Sequence, residues 1–311
     1  MTRFAYFHDD FCPIDDARVS IMTHSFNYGT GCFGGVRAYW NAESEQLLVF
    51  RLRDHMVRFL NSAKLLMAQI DHTPDSLAAI VLQLLGMEAW RENSYVRPII
   101  YKSDERLGVQ LHDLHDGLAI FSVPMGRYLS GADAIRVGVS SWRRIDDLAI
   151  PPRGKLIGAY MNSALIKTEA VLNGYDEALV LDQSGHVSEA SAANFVMVRN
   201  GTLVTPPRSA NVLEGITLDA LLEIATQKLG LPLEMREIDR SEVYYADEAF
   251  LCGTGVQIEG IGELDHRPIG NGGVGPITAQ LREHFLRIVS GQDPDYVHWV
   301  TPVPIHEHAL M

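Results

Sequence analysis

Lys155 stands between Pro-Pro-Arg-Gly and Leu-Ile-Gly-Ala-Tyr160, and Glu189 follows 34 residues later in Val187-Ser188-Glu189-Ala190. A glycine-flanked lysine ahead of a helix offers an amine that can form a Schiff base with a carbonyl. One carboxylate a supersecondary unit later can hold a pyridine nitrogen protonated, so that the ring accepts electrons. Together they point to a pyridoxal phosphate site. The chain has five lysines, Lys64, Lys102, Lys155, Lys167 and Lys228, so the choice is narrow. Lys64 and Lys167 fall in amphipathic runs beside polar neighbours. Lys228 lies two residues before Gly230, where a cation suits a helix C-terminal dipole. Lys102 follows the apolar run Pro98-Ile-Ile-Tyr101 and is the rival.

Two further clusters could hold an anion. Gly215-Ile216-Thr217 is a glycine turn opening a helix, which aims backbone N–H groups at a negative charge, with a hydroxyl beside them. Gly253-Thr254-Gly255 is a second small-residue turn at a strand end. A free lysine, with its pKa near ~10.4, is a poor nucleophile until burial and neighbouring cations lower it. An amine released from such a Schiff base can then carry a proton to or from a neighbouring carbon.

The elements that must position these residues follow from hydrophobic spacing. Strands are expected near Phe4–Phe7, Gln46–Arg51, Val96–Lys102 and Gly117–Val123. Leu52, Met56, Phe59, Leu60, Ala63 and Met67 give a helix over about 53–67. Thr73-Pro74 starts another, with Leu77, Ile80, Val81, Leu84 and Leu85 as its buried stripe. After the break at Pro124-Met-Gly126-Arg-Tyr128-Leu-Ser-Gly131, strands are expected at Ile135–Ser140, Ala178–Leu181, Asn194–Val198, Leu203–Thr205 and Glu248–Leu251. Helices are expected over about 157–172, 216–229 and 276–289. Asn200-Gly201 signals a two-residue hairpin. From about Gln292 the prolines at 294, 302 and 304 predict an extended tail.

The 311 residues suggest two domains, with boundaries predicted at 1–125, a linker over 126–132, and 133–311 carrying Lys155. Composition is average for a globular enzyme, 47% hydrophobic and 21% charged, and the net charge of −13 argues against a nucleic-acid partner. No apolar run approaches the ~20 residues that span a bilayer. The N-terminus shows no apolar signal core. Cys12, Cys32 and Cys252 have no CxxC spacing, and His306 and His308 sit in the tail, so neither a disulfide framework nor a metal is expected. The sequence reads as a cytoplasmic enzyme.

Nine ordered blocks carry a family resemblance over about Phe4 to Gly291. They are Met22-Thr-His-Ser-Phe-Asn-Tyr28-Gly-Thr, Phe33-Gly-Gly35-Val-Arg37-Ala-Tyr39, Phe50-Arg-Leu-Arg-Asp-His-Met-Val-Arg58, and Ser94-Tyr95-Val-Arg97-Pro98. Gly154-Lys155 to Tyr160, Asn173 to Asp182, Val187-Ser-Glu189 to Asn194-Phe195, Leu213-Glu-Gly215-Ile216-Thr217, and Ala246 to Gly253-Thr254 complete the set. The chain resembles the fold-type IV pyridoxal phosphate enzymes, and within them the branched-chain amino acid aminotransferases. The resemblance implies a two-domain α+β fold, with a small N-terminal α/β domain and a larger β-rich domain, assembled as at least a homodimer. It implies that Lys155 is catalytic and that Arg58, Tyr160, Glu189, Leu213, Ile216, Thr217 and Thr254 bind the cofactor. Tyr160 would hydrogen-bond the ring O3′ and Arg58 the phosphate, although Arg51 and Arg53 lie beside Arg58. The substrate pocket would take Tyr28, Phe33, Gly35, Arg37, Tyr95, Arg97, Val109 and Tyr128, with Thr254 and Gly255 at the substrate carboxylate.

The implied reaction moves the amino group of leucine, isoleucine or valine to 2-oxoglutarate, with Arg97 or Arg37 meeting the distal carboxylate. Tyr95-Val-Arg97 matches the branched-chain pattern, whereas D-amino acid aminotransferases carry Arg-x-His there. The alternatives are a broader transaminase for D-amino acids or (R)-amines, or a 4-amino-4-deoxychorismate lyase on the same fold. Three positions depart from the pattern. Gly34 replaces an acid, Met125 an aromatic residue, and Ala193 a glutamate before Asn194. None touches Lys155 or Glu189, so they bear on substrate breadth.

Overall fold

Alternation of apolar and polar residues, which puts one face of a strand inward, builds the first sheet. The computed structural model describes residues 3–126 and 134–304. The chain divides into two compact units. Unit 1 comprises residues 1–126, 154–158 and 287–311, and unit 2 comprises 127–153 and 159–286.

In unit 1 the central strand Ser94–Lys102 buries alternate residues at its start, with Val96 and Ile100 wholly inside. The eight-stranded sheet runs in the order Val300–Pro302, Gln46–Phe50, Val36–Asn41, Ser94–Lys102, Asp116–Pro124, Phe4–Phe7, Asp10–Pro13, with Gly31–Phe33 also paired to Ser94–Lys102. Its pairings are antiparallel. The helices Leu52–Leu65 and Pro74–Glu88 pack together, and the second lies on Phe4–Phe7 and Asp116–Pro124. Thr73 caps that helix. Its hydroxyl accepts from the Ser76 N–H while the Ser76 hydroxyl accepts from the Thr73 N–H, satisfying two donors left over at the helix start.

In unit 2 the nine-stranded sheet is mixed, ordered Val187–Ala190, Glu177–Leu181, Ile135–Arg143, Gln257–Leu264, Glu248–Gly253, Asn194–Arg199, Thr202–Thr205, Leu233–Met235, with Arg267–Pro268 on Gln257–Leu264. Asn200 and Gly201 both have positive φ, as a two-residue hairpin turn requires. One core cluster joins Val137, Leu179, Phe195, Met197, Leu251 and Ile261 across five strands. The helix Tyr160–Leu172 packs on Ile135–Arg143 and Glu177–Leu181.

Three sequence expectations need correction. The segments 154–158 and 287–311 group with unit 1 and not with a continuous C-terminal domain. The reason is hydrogen bonding. Val300–Pro302 pairs with Gln46–Phe50, and the lysine segment lies against Gly31–Phe33. The tail is not simply extended, because Pro294–Trp299 forms two short 3-10 turns with a kink at Tyr296, and Pro294 fixes the first of them. The helix predicted to begin near 157 starts at Tyr160. Most of the predicted linker, including Tyr128, lies outside the described residues, as do His306 and His308.

Candidate active site

Lys155 belongs to unit 1, where backbone hydrogen bonds fix it on both sides. Its N–H donates to the Ser62 hydroxyl at 3.1 Å, and its carbonyl accepts from the Phe33 N–H at 3.0 Å. The Ile157 N–H donates to the Gly31 carbonyl and the Gly158 N–H to the Gly29 carbonyl, so the segment runs like a short extra strand. Gly29 has positive φ, and a side chain there would press on the Gly158 backbone. Ser62, a residue that sequence reasoning missed, ties two parts together. Its hydroxyl also donates to the Arg58 carbonyl one helical turn earlier, at 3.0 Å. Its signal was its i+4 spacing from Arg58 on the helix Leu52–Leu65.

The Lys155 Nζ lies 5.0 Å from the centre of the Phe33 ring, and the Arg97 guanidinium lies 4.3 Å from the same centre. The Arg97 Nε and Nη2 donate to the Tyr95 hydroxyl at 3.3 and 3.1 Å. A Cβ on Gly35 would collide with that hydroxyl, so glycine gives the Tyr95 ring its space. Unit 1 thus groups Lys155, Phe33, Gly35, Tyr95 and Arg97. The same unit surrounds His55 with cations. This buried imidazole has a pKa pushed well down, first by burial and then by Arg58, Arg51 and Lys155. Arg58, Arg51 and Lys155 thus lie close enough to add to burial in favouring the neutral ring. Of the neighbouring arginines, Arg51 meets Asp54 and stacks on Trp299, while Arg53 pairs with Asp75 at the surface.

Other expected pocket residues are engaged differently. Arg37 is 2% exposed and donates to the Met125 carbonyl at 3.0 Å and to the Gly126 carbonyl. Burial pushes its pKa down. The Tyr28 hydroxyl accepts from the Gly108 N–H, and the buried His24 holds the Gly108 carbonyl. Val109, next in the chain, is 78% exposed. The rival Lys102 is 1% exposed and is ion-paired with buried Asp116 at 2.9 Å.

In unit 2 Glu189 lies on the strand Val187–Ala190 and is 3% exposed. Its Oε1 is 2.6 Å from Arg144 Nη2. Its Oε2 accepts from Asn194 Nδ2 at 3.0 Å and from the Leu213 N–H at 3.2 Å. Asn194 Nδ2 donates also to the Leu213 carbonyl at 2.9 Å. Arg144 and Asn194 were absent from the expected site, because the only sequence cue for Arg144 is its place one residue past a strand. Gly215 caps the helix Ile216–Glu223, and any side chain there would run into Asn194 Oδ1. Ile216 and Thr217 are its first two residues, both buried, and the N–H groups of a first turn have no partner within the helix. The helix does not continue regularly to 229, since Ile224–Lys228 widens into a π turn. Thr254 and Gly255 form the half-buried turn between Glu248–Gly253 and Gln257–Leu264, and half-buried Tyr160 opens the helix Tyr160–Leu172.

Among the described residues no cluster of histidine, cysteine and acids could hold a metal, and no helix is long and apolar enough to cross a membrane. A model of the amino-transferase class IV family matches residues 31–264. A probable branched-chain-amino-acid aminotransferase of Aquifex aeolicus is 44% identical over 96% of each chain. The branched-chain aminotransferase of Thermoproteus uzoniensis, solved with norvaline, superposes with a TM-score of 0.93 at 39% identity, covering 98% of this chain and 100% of that one. The branched-chain amino acid aminotransferase of Thermobaculum terrenum, solved in its PLP-form, also gives 0.93, at 34% identity, covering 97% and 99%.

Proposed function

The chain belongs to the class IV aminotransferases, and we propose that it transfers the amino group of leucine, isoleucine and valine to 2-oxoglutarate on pyridoxal phosphate. What supports this reading is found within each unit separately: a backbone-clamped Lys155 in the first, and a buried, arginine-paired Glu189 in the second. The residues fit the cofactor. Arg58, one of the cations that lower the His55 pKa, suits a phosphate dianion, and a buried carboxylate suits a pyridine nitrogen that must carry a proton.

Pyridoxal phosphate supplies an electrophilic carbonyl and an electron-accepting ring. Lys155 would hold the carbonyl carbon, and its free amine would be the group that accepts and returns a proton at the substrate Cα. Glu189 would keep the ring nitrogen protonated, and the Leu213 N–H helps to fix that carboxylate. Arg58 of the first unit and Thr217, Thr254 and the Ile216 N–H of the second would be the groups to hold the phosphate, and Tyr160 would hold O3′. Phe33, Gly35 and Tyr95 give the aliphatic side chain its apolar wall, while Thr254 and Gly255 take its carboxylate. Arg97 takes the distal carboxylate of glutamate or 2-oxoglutarate. That choice is supported by its grouping with Phe33 and Tyr95, and by the commitment of Arg37 to backbone carbonyls.

A homodimer at least is part of the same reading. Ile21, Phe26, Leu107 and Val109 are 70–80% exposed, and the His24 N–H donates to the Asp104 carbonyl, bringing their two segments together. An exposed apolar patch of this kind suits a partner surface. The test is a donor–acceptor screen with the cofactor-loaded protein. L-leucine, L-isoleucine and L-valine with 2-oxoglutarate should give the highest kcat/KM. Preference for D-amino acids or (R)-amines, or pyruvate release from 4-amino-4-deoxychorismate, would replace the reading.

A further inference from the structure

We propose that Arg144 is a positioning residue that keeps the Glu189 carboxylate charged and so fixes on which side of the carboxylate–pyridine contact the shared proton resides. The inference rests on Glu189 being the pyridine partner.

Arg144 is itself held in place. It lies one residue beyond the strand Ile135–Arg143 and is 8% exposed. Its N–H donates to the Leu181 carbonyl at 2.9 Å, and its carbonyl accepts from Gln183 Nε2 at 3.0 Å. Its Nε donates to the Asn211 carbonyl at 3.3 Å, which turns Nη2 toward Glu189 Oε1. The other carboxylate oxygen is tied to Asn194 and Leu213. The carboxylate is therefore gripped at both oxygens and cannot rotate away from its partner. Its charge is also felt nearby, since it adds to burial in pushing up the pKa of the Cys252 thiol.

A buried carboxylate stays ionised only with a compensating charge, and a guanidinium does not deprotonate in proteins. A carboxylate facing a pyridine shares one proton with it, held either as N–H with a charged carboxylate or as O–H with a neutral ring. The fixed cation at Oε1 lowers the proton affinity of the carboxylate and favours the first arrangement. Without it the proton passes to the carboxylate and the ring becomes a weaker electron acceptor. No bond other than the N–H or O–H bond changes.

The test loads wild type, Arg144→Met, Arg144→Gln, Arg144→Lys and Glu189→Gln with pyridoxal phosphate labelled at the ring nitrogen. The nitrogen chemical shift is followed across the neutral pH range, beside the leucine half-reaction in single turnover. Wild type should show the protonated-pyridine shift. Arg144→Met and Arg144→Gln should move toward the unprotonated shift, with the half-reaction slowed by about 10-fold or more. Arg144→Lys should restore both in large part. The two neutral variants are predicted to behave alike, so either one that folds decides the matter. A wild-type shift in either would overturn the inference and leave Arg144 a packing residue. Glu189→Gln separates the two readings. If its nitrogen shift also stays that of wild type, Glu189 is not the pyridine partner, and the cofactor assignment fails before the question of Arg144 arises.

Discussion

Arg97 carries its charge over the Phe33 ring and donates to the Tyr95 hydroxyl, so one side chain borders both an apolar wall and a polar handle. A charge-assisted hydrogen bond contributes roughly 1.5–3 kcal/mol, or about 10–150-fold when 1.4 kcal/mol is tenfold. Arg97→Leu should therefore lower kcat/KM for 2-oxoglutarate and glutamate by at least about 10-fold, while leucine changes little. Single-turnover rates of the two half-reactions check this, and equal losses would make Arg97 structural. Lys102 poses the opposite case, a lysine whose surroundings explain it without chemistry. Breaking a buried ion pair by removing one partner costs about 3–5 kcal/mol, so Lys102→Met should lower the urea midpoint strongly and leave the site of cofactor attachment unchanged. At this scale Lys155, Glu189 and the two glycine turns could be singled out from the sequence as candidates, because each is a particular residue type beside a turn. It did not show Ser62, Arg144 or Asn194. Their roles come from hydrogen bonds to residues that strand pairing and helix packing bring near, and spacing along the chain carries no trace of most of them.

Elements with a strong period were legible, and those without one were not. The stripes of Leu52–Leu65 and Pro74–Glu88 face a core and repeat at helical spacing; both predicted ends of the first and the predicted start of the second fall within a few residues of the observed ones. Val36–Asn41 escaped prediction because Val36, Arg37, Ala38 and Tyr39 are all buried, which removes the alternation that marks a half-exposed strand. The three-residue strand Gly31–Phe33 is too short to show a pattern, yet it carries the lysine segment. The helix Ile216–Glu223 supplies the element-scale prediction. Gly215→Ala places a Cβ against Asn194 Oδ1 and must displace either Asn194 or the first turn of the helix. Because Asn194 also holds Glu189, cofactor affinity should weaken by about 10-fold or more, a loss of ~1.4 kcal/mol. Equilibrium dialysis against pyridoxal phosphate measures it. Unchanged affinity would separate the Gly215 turn from the cofactor.

On the scale of the whole molecule, chain length suggested two domains, and the chain does divide into two units, but with boundaries that length could not give. A linear division cannot foresee that 154–158 and 287–311 return to the first unit through hydrogen bonds to Gly31–Phe33 and Gln46–Phe50. The pH dependence of global stability also follows from one buried group. His55 is held neutral, its pKa lowered by burial and by Arg58, Arg51 and Lys155, whereas in the unfolded chain it titrates near about 6.5. Below that pH the unfolded state binds a proton that the folded state does not, so unfolding is favoured as pH falls. The stabilisation is fully present above about pH 6.5 and is lost toward the lowered folded pKa, with a slope of at most about 1.4 kcal/mol per pH unit. Urea titrations of His55→Gln beside wild type should show a shallower decline of stability in that acid range. Parallel curves would mean that His55 is protonated in the folded protein.

The central claim is that Lys155 is the cofactor lysine, and one measurement reaches it directly. Borohydride reduction of the pyridoxal phosphate-loaded protein, followed by peptide mapping, should recover a single pyridoxyl-modified peptide containing Lys155. Lys102 and Lys167, each ion-paired to an acid, should remain unmodified. A pyridoxyl group on either of them, with Lys155 untouched, would contradict the account.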